Sequence, residues 1–317
     1  MTHPVVSALL PVVALIAAGW FIGRHRRIGA LARPLSNLVF LVLVPALLFR
    51  TMSTVHVEQL DFRPVAAYFI GVVVIFGTTL FTQGFSRRSA VLALASTFSN
   101  TVMIGIPLIG LAYGNEGLVV LFTLYTVHSV AILASATMVL ELAVMREAQA
   151  RGGQEDRHVA VTVLLAIRNS LVHPVPLPII AGLLFAQTGW TLPVFIDLPL
   201  AVLGKVFGPL ALMLVGITLA ANPVGTHLRA ALSLSFVKNL VHPAIVFAAG
   251  TLLGLSGIPL AVMVIVSSLP IGANVFLFAQ RYKVAEELIT SSVAVSSLLG
   301  VGTVTLVMSL IRAWQGP

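Results

Sequence analysis

The feature that most constrains this chain is a series of ten apolar runs. Each is close to the ~20 residues a helix needs to cross ~30 Å of hydrocarbon. They occupy 4–23, 31–51, 64–83, 89–112, 117–143, 174–189, 199–221, 230–254, 258–280 and 286–311. Backbone donors and acceptors in lipid must be satisfied within the segment, so such runs fold as helices and the chain reads as an all-α membrane protein. Composition agrees: 58% of the 317 residues are apolar and 9% are charged, against about 25% charged in a soluble domain. A soluble chain could not keep that much apolar surface from water, and disorder, a coiled coil and a nucleic-acid module are excluded with it. Cysteine is absent, which removes disulfides, thiolate zinc sites and thiol catalysis. The first run has no basic residue before it and Arg24, His25, Arg26 and Arg27 after it. That is the reverse of a secretory signal peptide, so it is expected to remain as a span.

The formal charge of +8 reads as topology, because the basic residues cluster in short loops between the runs. With the N-terminus outside, the inner loops hold Arg24, Arg26, Arg27, Arg33, Arg87, Arg88, Arg146, Arg151, Arg157, Arg168, Arg229, Arg281 and Lys283. The outer side keeps Arg50, Arg63 and Arg312, while Lys205 and Lys238 fall within spans. Ten spans then put both termini outside the cytoplasmic membrane. The longest hydrophilic stretch, Met145 to Ala160, divides the spans five and five, giving a first repeat of 1–144, a cytoplasmic linker of 145–160 and a second repeat of 161–317. In the sixth span Pro174, Pro176 and Pro178 crowd the start, and Val159 to Val172 mixes apolar residues with Arg168 and Asn169, a pattern compatible with lying along the interface.

An odd number of spans per half gives the halves opposite topology, as in the inverted repeats of transporters. Val44-Pro45-Ala46-Leu47 in the second span is echoed by Gly208-Pro209-Leu210-Ala211 in the seventh. The fourth span carries Ser99-Asn100-Thr101 with Gly105 and Pro107, and the ninth carries Ser267-Ser268-Leu269-Pro270-Ile271-Gly272-Ala273-Asn274. Proline removes a backbone donor and glycine leaves helical geometry cheaply, so both spans are expected to break near their centres. Broken backbone is tolerated at membrane depth only where protein or a watery cavity covers it. Its half-helix ends attract ions, with the amides of Asn100 and Asn274 beside them. A single proline reads equally well as a packing kink; matched interruptions in both halves favour a substrate site.

Ionisable residues inside spans are costly and therefore informative. Lys238 and His242 share one face of the eighth span, with Pro243 directly after. Lys238 is suited either to attract a carboxylate or to stabilise a carbonyl-rich break in a neighbouring helix; snorkelling from two turns inside the span would strain it. His128 lies mid-span among Thr123, Tyr125, Thr126 and Ser129, and fits a hydrogen-bonded packing role as well as a proton-carrying one. Glu141 and Asp197 lie near span ends and read as solvated. No acidic residue sits at the centre of a span, which points to proton coupling through His128 or His242, or to passive facilitation, ahead of sodium. No phosphate-binding loop or His-Glu-x-x-His zinc motif is present, and no metal site or cofactor is expected. Gly254-Leu255-Ser256-Gly257 imitates a rhomboid protease nucleophile, but every histidine precedes Ser256, against that family's order. The Gly-x-x-x-Gly pairs at Gly19/Gly23, Gly110/Gly114, Gly204/Gly208 and Gly250/Gly254 read as close helix contacts.

The segments FLVLVPALL (Phe40 to Leu48), FSNTVMIGIPL (Phe98 to Leu108), VFGPLALMLVGITL (Val206 to Leu219), LRAALSLSFVKNLVHP (Leu228 to Pro243) and LPIGANVFLFAQRY (Leu269 to Tyr282) resemble, in order, the recurring motifs of the auxin efflux carrier family. The resemblance implies ten helices in an inverted 5+5 repeat, crossing broken fourth and ninth helices at the substrate site, and elevator-type alternating access. It implies a secondary transporter of small organic anions, such as malonate in bacterial members and auxin in plants. Carried over residue by residue, the site positions are Asn100, Gly105, Pro107, Pro270 and Asn274, with Lys238 and Pro243 matching the eighth-helix motif. The central loop is short beside that of the plant carriers, which removes the place for their kind of phosphorylation control. A homodimer is compatible with one half acting as a fixed scaffold. The runner-up, a sodium-coupled bile acid symporter, lacks its carboxylate sodium ligands here; a non-transporting sensor or scaffold would need a sizeable soluble domain.

Overall fold

A computed structural model describes residues 4–150, 159–172, 174–221 and 227–315, and among these the chain is helical with no strand. The helices are α1 (Pro4–Gly23), α2 (Ala32–Leu38, Val39–Leu43 and Val44–Met52 in continuous succession), α3 (Arg63–Gln83), α4 (Arg87–Ala95), α5 (Ile106–Ala150), α6 (Val159–Leu171), α7 (Pro176–Gln187), α8 (Val194–Ala221), α9 (Leu228–Phe236, Val237–Val241 and His242–Leu252 in succession), α10 (Gly257–Ser268), α11 (Asn274–Arg281) and α12 (Glu286–Gln315). By length and composition six stretches are able to cross a membrane: Arg27–Met52, Arg63–Gln83, Thr101–Ala150, Val194–Ala221, Leu228–Leu252 and Glu286–Gln315. The other expected spans correspond to α1, to the short α7, and to the two runs that break into α4 plus the start of α5 and α10 plus α11. The stretch before the sixth span forms α6, packed on α5. α5 runs to Ala150, so the expected linker begins as helix, and residues 151–158 lie outside the described residues.

Local chemistry explains the boundaries. Ser86 and Ser89 form a reciprocal capping box at the start of α4, each side chain bonding the other's backbone N–H. Three π-helical turns, Val39–Leu43, Thr101–Gly105 and Val237–Val241, each directly precede a helix with proline as its second residue, Pro45, Pro107 or Pro243. Proline has no N–H to return to the carbonyl four residues back and its ring crowds that carbonyl; widening the turn by one residue accommodates both. At Gly114 the backbone takes φ 59°, ψ −150°, a conformation open to glycine, and this kink separates the fourth run from the fifth. Gly110/Gly114 is therefore a hinge in the chain rather than the helix contact its spacing suggested. Gly254, with φ +72°, is likewise a turn residue.

Two packing groups result. α1, α2, α7 and α8 pack on one another, and α3, α4, α5 and α9 to α12 form a second group. Within the first group the Gly-x-x-x-Gly expectation holds at Gly19 and Gly23, which lie against Met213 and Ile217 of α8, while Gly216 lies against Ile16 and Trp20 of α1. Without a hydrophobic drive between helices in lipid, such close backbone approach supplies the dispersion contacts that hold them.

Ion pairs tie helix ends together. Arg50 makes a two-pronged ion pair with Asp197, at 2.7 and 3.0 Å, joining two expected outer ends. Arg87 pairs with Glu147 at 2.7 Å and donates to the Tyr282 carbonyl at 3.2 Å, joining three expected inner ends. Asp197 keeps much of its side chain exposed, as its position suggested, while paired with Arg50. Glu141 is less solvated than expected: it is buried and accepts a hydrogen bond from the Tyr282 hydroxyl at 2.9 Å. α5 continues to Ala150, past the expected end of the fifth span, and Tyr282, just after α11, covers Glu141.

A Gly216→Val substitution must push α1 from α8, because its Cβ would meet the Ile16 carbonyl and Trp20 backbone. It is expected to lower stability in detergent by about 1–3 kcal/mol, read as a fall in thermal midpoint. Gly302→Ala, with open space around it, should leave the midpoint nearly unchanged.

Candidate functional site

The centre of the second packing group is where α4 and α10 stop. After Ala95 the chain passes through Ser96 to Asn100 before helix resumes, and after Ser268 it passes through Leu269 to Ala273 before α11. The two non-helical stretches meet as an antiparallel pair bridging Ser99 and Ile271. The Asn100 N–H donates to the Pro270 carbonyl at 2.8 Å, and the Gly272 N–H donates to the Phe98 carbonyl at 2.9 Å. Each broken helix thus supplies the hydrogen-bonding partners that the other lost, which lets irregular backbone persist inside an apolar fold.

Side chains complete the junction. Lys238 is fully buried, and its Nζ donates to the Ser267 carbonyl at 2.6 Å and the Leu269 carbonyl at 2.7 Å. Of the two uses the sequence allowed it, the structure places Lys238 on the carbonyl-rich break, at the negative end of the α10 dipole. A residue the sequence reading passed over, Tyr68 of α3, stands at the other break. Its hydroxyl lies 3.3 Å from each of the Thr97 carbonyl, Ser99 Oγ and His128 Nε2. Sequence offered little signal for it: a tyrosine about one turn inside an apolar span also suits the aromatic belt at the membrane interface. Asn239, beside Lys238, donates to the Ser296 carbonyl at 3.0 Å, and Ser296 Oγ accepts from the Ile271 N–H at 3.1 Å.

The sequence-derived residues gather here. Gly105 lies under Leu269, where a Cβ would come within 2.8 Å of its side chain, and Pro270 is covered by Gly300. Pro107 is buried on the side facing Gly208 of α8. Asn100 and Asn274 are half-buried, and neither side-chain amide is engaged by a hydrogen bond among the described residues. The rings of His128 and His242 both lie 5.2 Å from that of Tyr68, centroid to centroid. His128 Nδ1 and both ring nitrogens of His242 are buried without a protein partner. Lys205, the other lysine within a span, is exposed on α8 and takes no part. No cluster of three or more metal-ligating side chains occurs among the described residues.

A largely apolar helical chain in which two interrupted helices pair through their non-helical stretches, with side-chain amides beside them, has the features expected of a membrane transport protein. The chain is a member of the membrane transport protein family, whose pattern matches residues 4–308. It is 26% identical over 326 residues to the "Putative malonate transporter" of Rhizobium meliloti (strain 1021), covering 99% of this chain and 98% of that one. It is 21% identical over 350 residues to auxin efflux carrier component 8 of Arabidopsis thaliana, covering 95% of each. The family and these relatives are transporters, not enzymes.

Replacing Lys238 by Met keeps the bulk of the side chain and leaves two buried carbonyls without donors. The expected cost is about 1–3 kcal/mol for each acceptor, measured as a lower unfolding midpoint in detergent, with the loss larger than for Lys205→Met.

Proposed function

We propose that the protein is a secondary transporter that moves small organic anions, dicarboxylates such as malonate or similar carboxylates, across the cytoplasmic membrane. The observation that carries this reading is the crossover itself: two broken helices paired at the centre of an apolar fold, with the amides of Asn100 and Asn274 uncommitted beside it. Unused amide donors at half-helix ends suit a carboxylate, and the relative named for malonate supplies the substrate class. Gly105, Pro107 and Pro270 shape the site, and Lys238 supports it from beneath by fixing the α10 end.

The reading includes the inverted repeat of five spans and five, with 1–144 and 161–317 as its halves. The two packing groups favour elevator movement: α1, α2, α7 and α8 serve as the fixed scaffold and α3 to α5 with α9 to α12 as the moving body. The scaffold group offers the surface for a homodimer. His128 and His242 are the coupling groups for protons; the buried acidic residue of the described chain, Glu141, is engaged by Tyr282, which leaves sodium coupling without a carboxylate at the crossover.

Purified protein in liposomes should take up labelled malonate or a related acid. Asn100→Ala and Asn274→Ala should each reduce uptake at least tenfold, the order set by losing ~1.4 kcal/mol of differential binding; unchanged uptake in both removes the site assignment. For topology, the natural absence of cysteine makes single-cysteine labelling clean. Gly153→Cys should react with an impermeant maleimide only after permeabilisation and Gln315→Cys in intact cells; the reverse pattern overturns the orientation.

A further inference from the structure

Tyr68 is buried with no exposure, its hydroxyl carries one proton, and three acceptors stand 3.3 Å away. The Thr97 carbonyl only accepts, whereas Ser99 Oγ and His128 Nε2 are able either to accept or to donate. One proton serves one of the three at a time, so the choice is set by whether His128 Nε2 carries a hydrogen. With Nε2 bare, the tyrosine donates to the imidazole. With Nε2 protonated, its N–H donates to the tyrosine oxygen, and the tyrosine proton turns to the Thr97 carbonyl or Ser99 Oγ. No covalent step is involved: the proton gained by His128 stays on its ring, and the tyrosine keeps its own.

Thr97 and Ser99 belong to the non-helical stretch that pairs with Leu269 to Gly272, and Asn100 follows directly. We propose that Tyr68 is a positioning residue that transmits the protonation of His128 to the first break of the crossover, and thereby to the anion site. This deepens and rests on the proton-coupling reading above. It also gives the two breaks parallel support: Lys238, from α9, donates to carbonyls at the end of α10, and Tyr68, from α3, reaches the carbonyl just beyond the end of α4. The Lys238 donation is permanent, while that of Tyr68 switches with His128.

The groups facing His128 and Tyr68 are few. α9 presents His242, whose ring lies tilted against that of Tyr68, and Lys238, whose Nζ is held on the Ser267 and Leu269 carbonyls. α5 itself adds Tyr125, with its ring 6.1 Å from that of His128, and the α4 break adds the apolar Phe98 at 5.3 Å. α10 contributes no ionisable residue, and Glu141 is held by Tyr282. With Nε2 bare, the one hydrogen of the neutral ring sits on Nδ1, which is buried without a protein partner, so the proton that charges the ring is gained at Nε2, the atom facing Tyr68.

The test uses the full chain in liposomes with labelled malonate, comparing initial uptake with and without an imposed pH gradient. Wild type should respond several-fold to the gradient. Tyr68→Phe, which keeps the ring and removes the hydroxyl, should bring the ratio to unity while malonate still raises the thermal midpoint and malonate–malonate exchange persists. His128→Asn should abolish the response in the same way. A Tyr68→Phe ratio equal to that of wild type overturns the inference and leaves the transport reading standing. Uptake in wild type without any gradient response removes both the coupling role of the histidines and the relay. No uptake by wild type of malonate or of a panel of related acids removes the transport reading from which the inference starts. If Tyr68→Phe does not yield folded protein, His128→Asn carries the test, and a wild-type gradient response in it overturns the relay, which starts from that imidazole.

Discussion

Everything in this structure follows from the demand that a peptide group in hydrocarbon find a partner. A continuous helix meets that demand by itself, which is why most of the apolar runs are unbroken helices. Where α4 and α10 stop short, several backbone donors and acceptors lose their intrahelical partners, each worth several kcal/mol in an apolar medium. Four devices offset this: the mutual strand-like pairing of Phe98 to Asn100 with Pro270 to Gly272, the lysine on the Ser267 and Leu269 carbonyls, the tyrosine at Thr97, and the serine–asparagine link through Ser296 and Asn239. The breaks are therefore expensive features held by dedicated side chains.

The same accounting explains how a largely apolar chain tolerates a fully buried lysine. Burying an amino group costs several kcal/mol, and two short hydrogen bonds at a helix C-terminus, where the dipole also favours it, offset much of that. The histidines differ. Three of their four ring nitrogens have no protein partner, so they are held by packing against Tyr68 and Phe98 rather than by hydrogen bonds. A group fixed by shape and left free in its polar atoms is suited to changing its protonation state, in contrast to Lys238, whose donors are committed.

Much of the fold was legible because its signals are local. Run length gave the helices, and the Asn, Gly and Pro residues of the fourth and ninth runs marked the breaks. The failures were of a different kind. Gly-x-x-x-Gly spacing does not distinguish a helix contact from a hinge, so Gly110/Gly114 was misjudged while Gly19/Gly23 was not; the difference is whether another backbone arrives, as α8 does for Gly19. Glu141 was expected to be solvated because α5 was ended too early, and its partner Tyr282 is far along the chain.

Sequence by itself determined that the chain is a polytopic helical membrane protein with two interrupted helices, because apolar length, charge placement and proline chemistry act within a few residues. It also named most of the residues at the crossing. Tertiary structure alone decided that the two interruptions pair with one another, that Lys238 serves backbone carbonyls rather than standing open to a ligand, and that Tyr68 joins His128 to Ser99. Those facts depend on hydrogen bonds between residues about 30 to 170 positions apart, which no periodicity along the chain encodes.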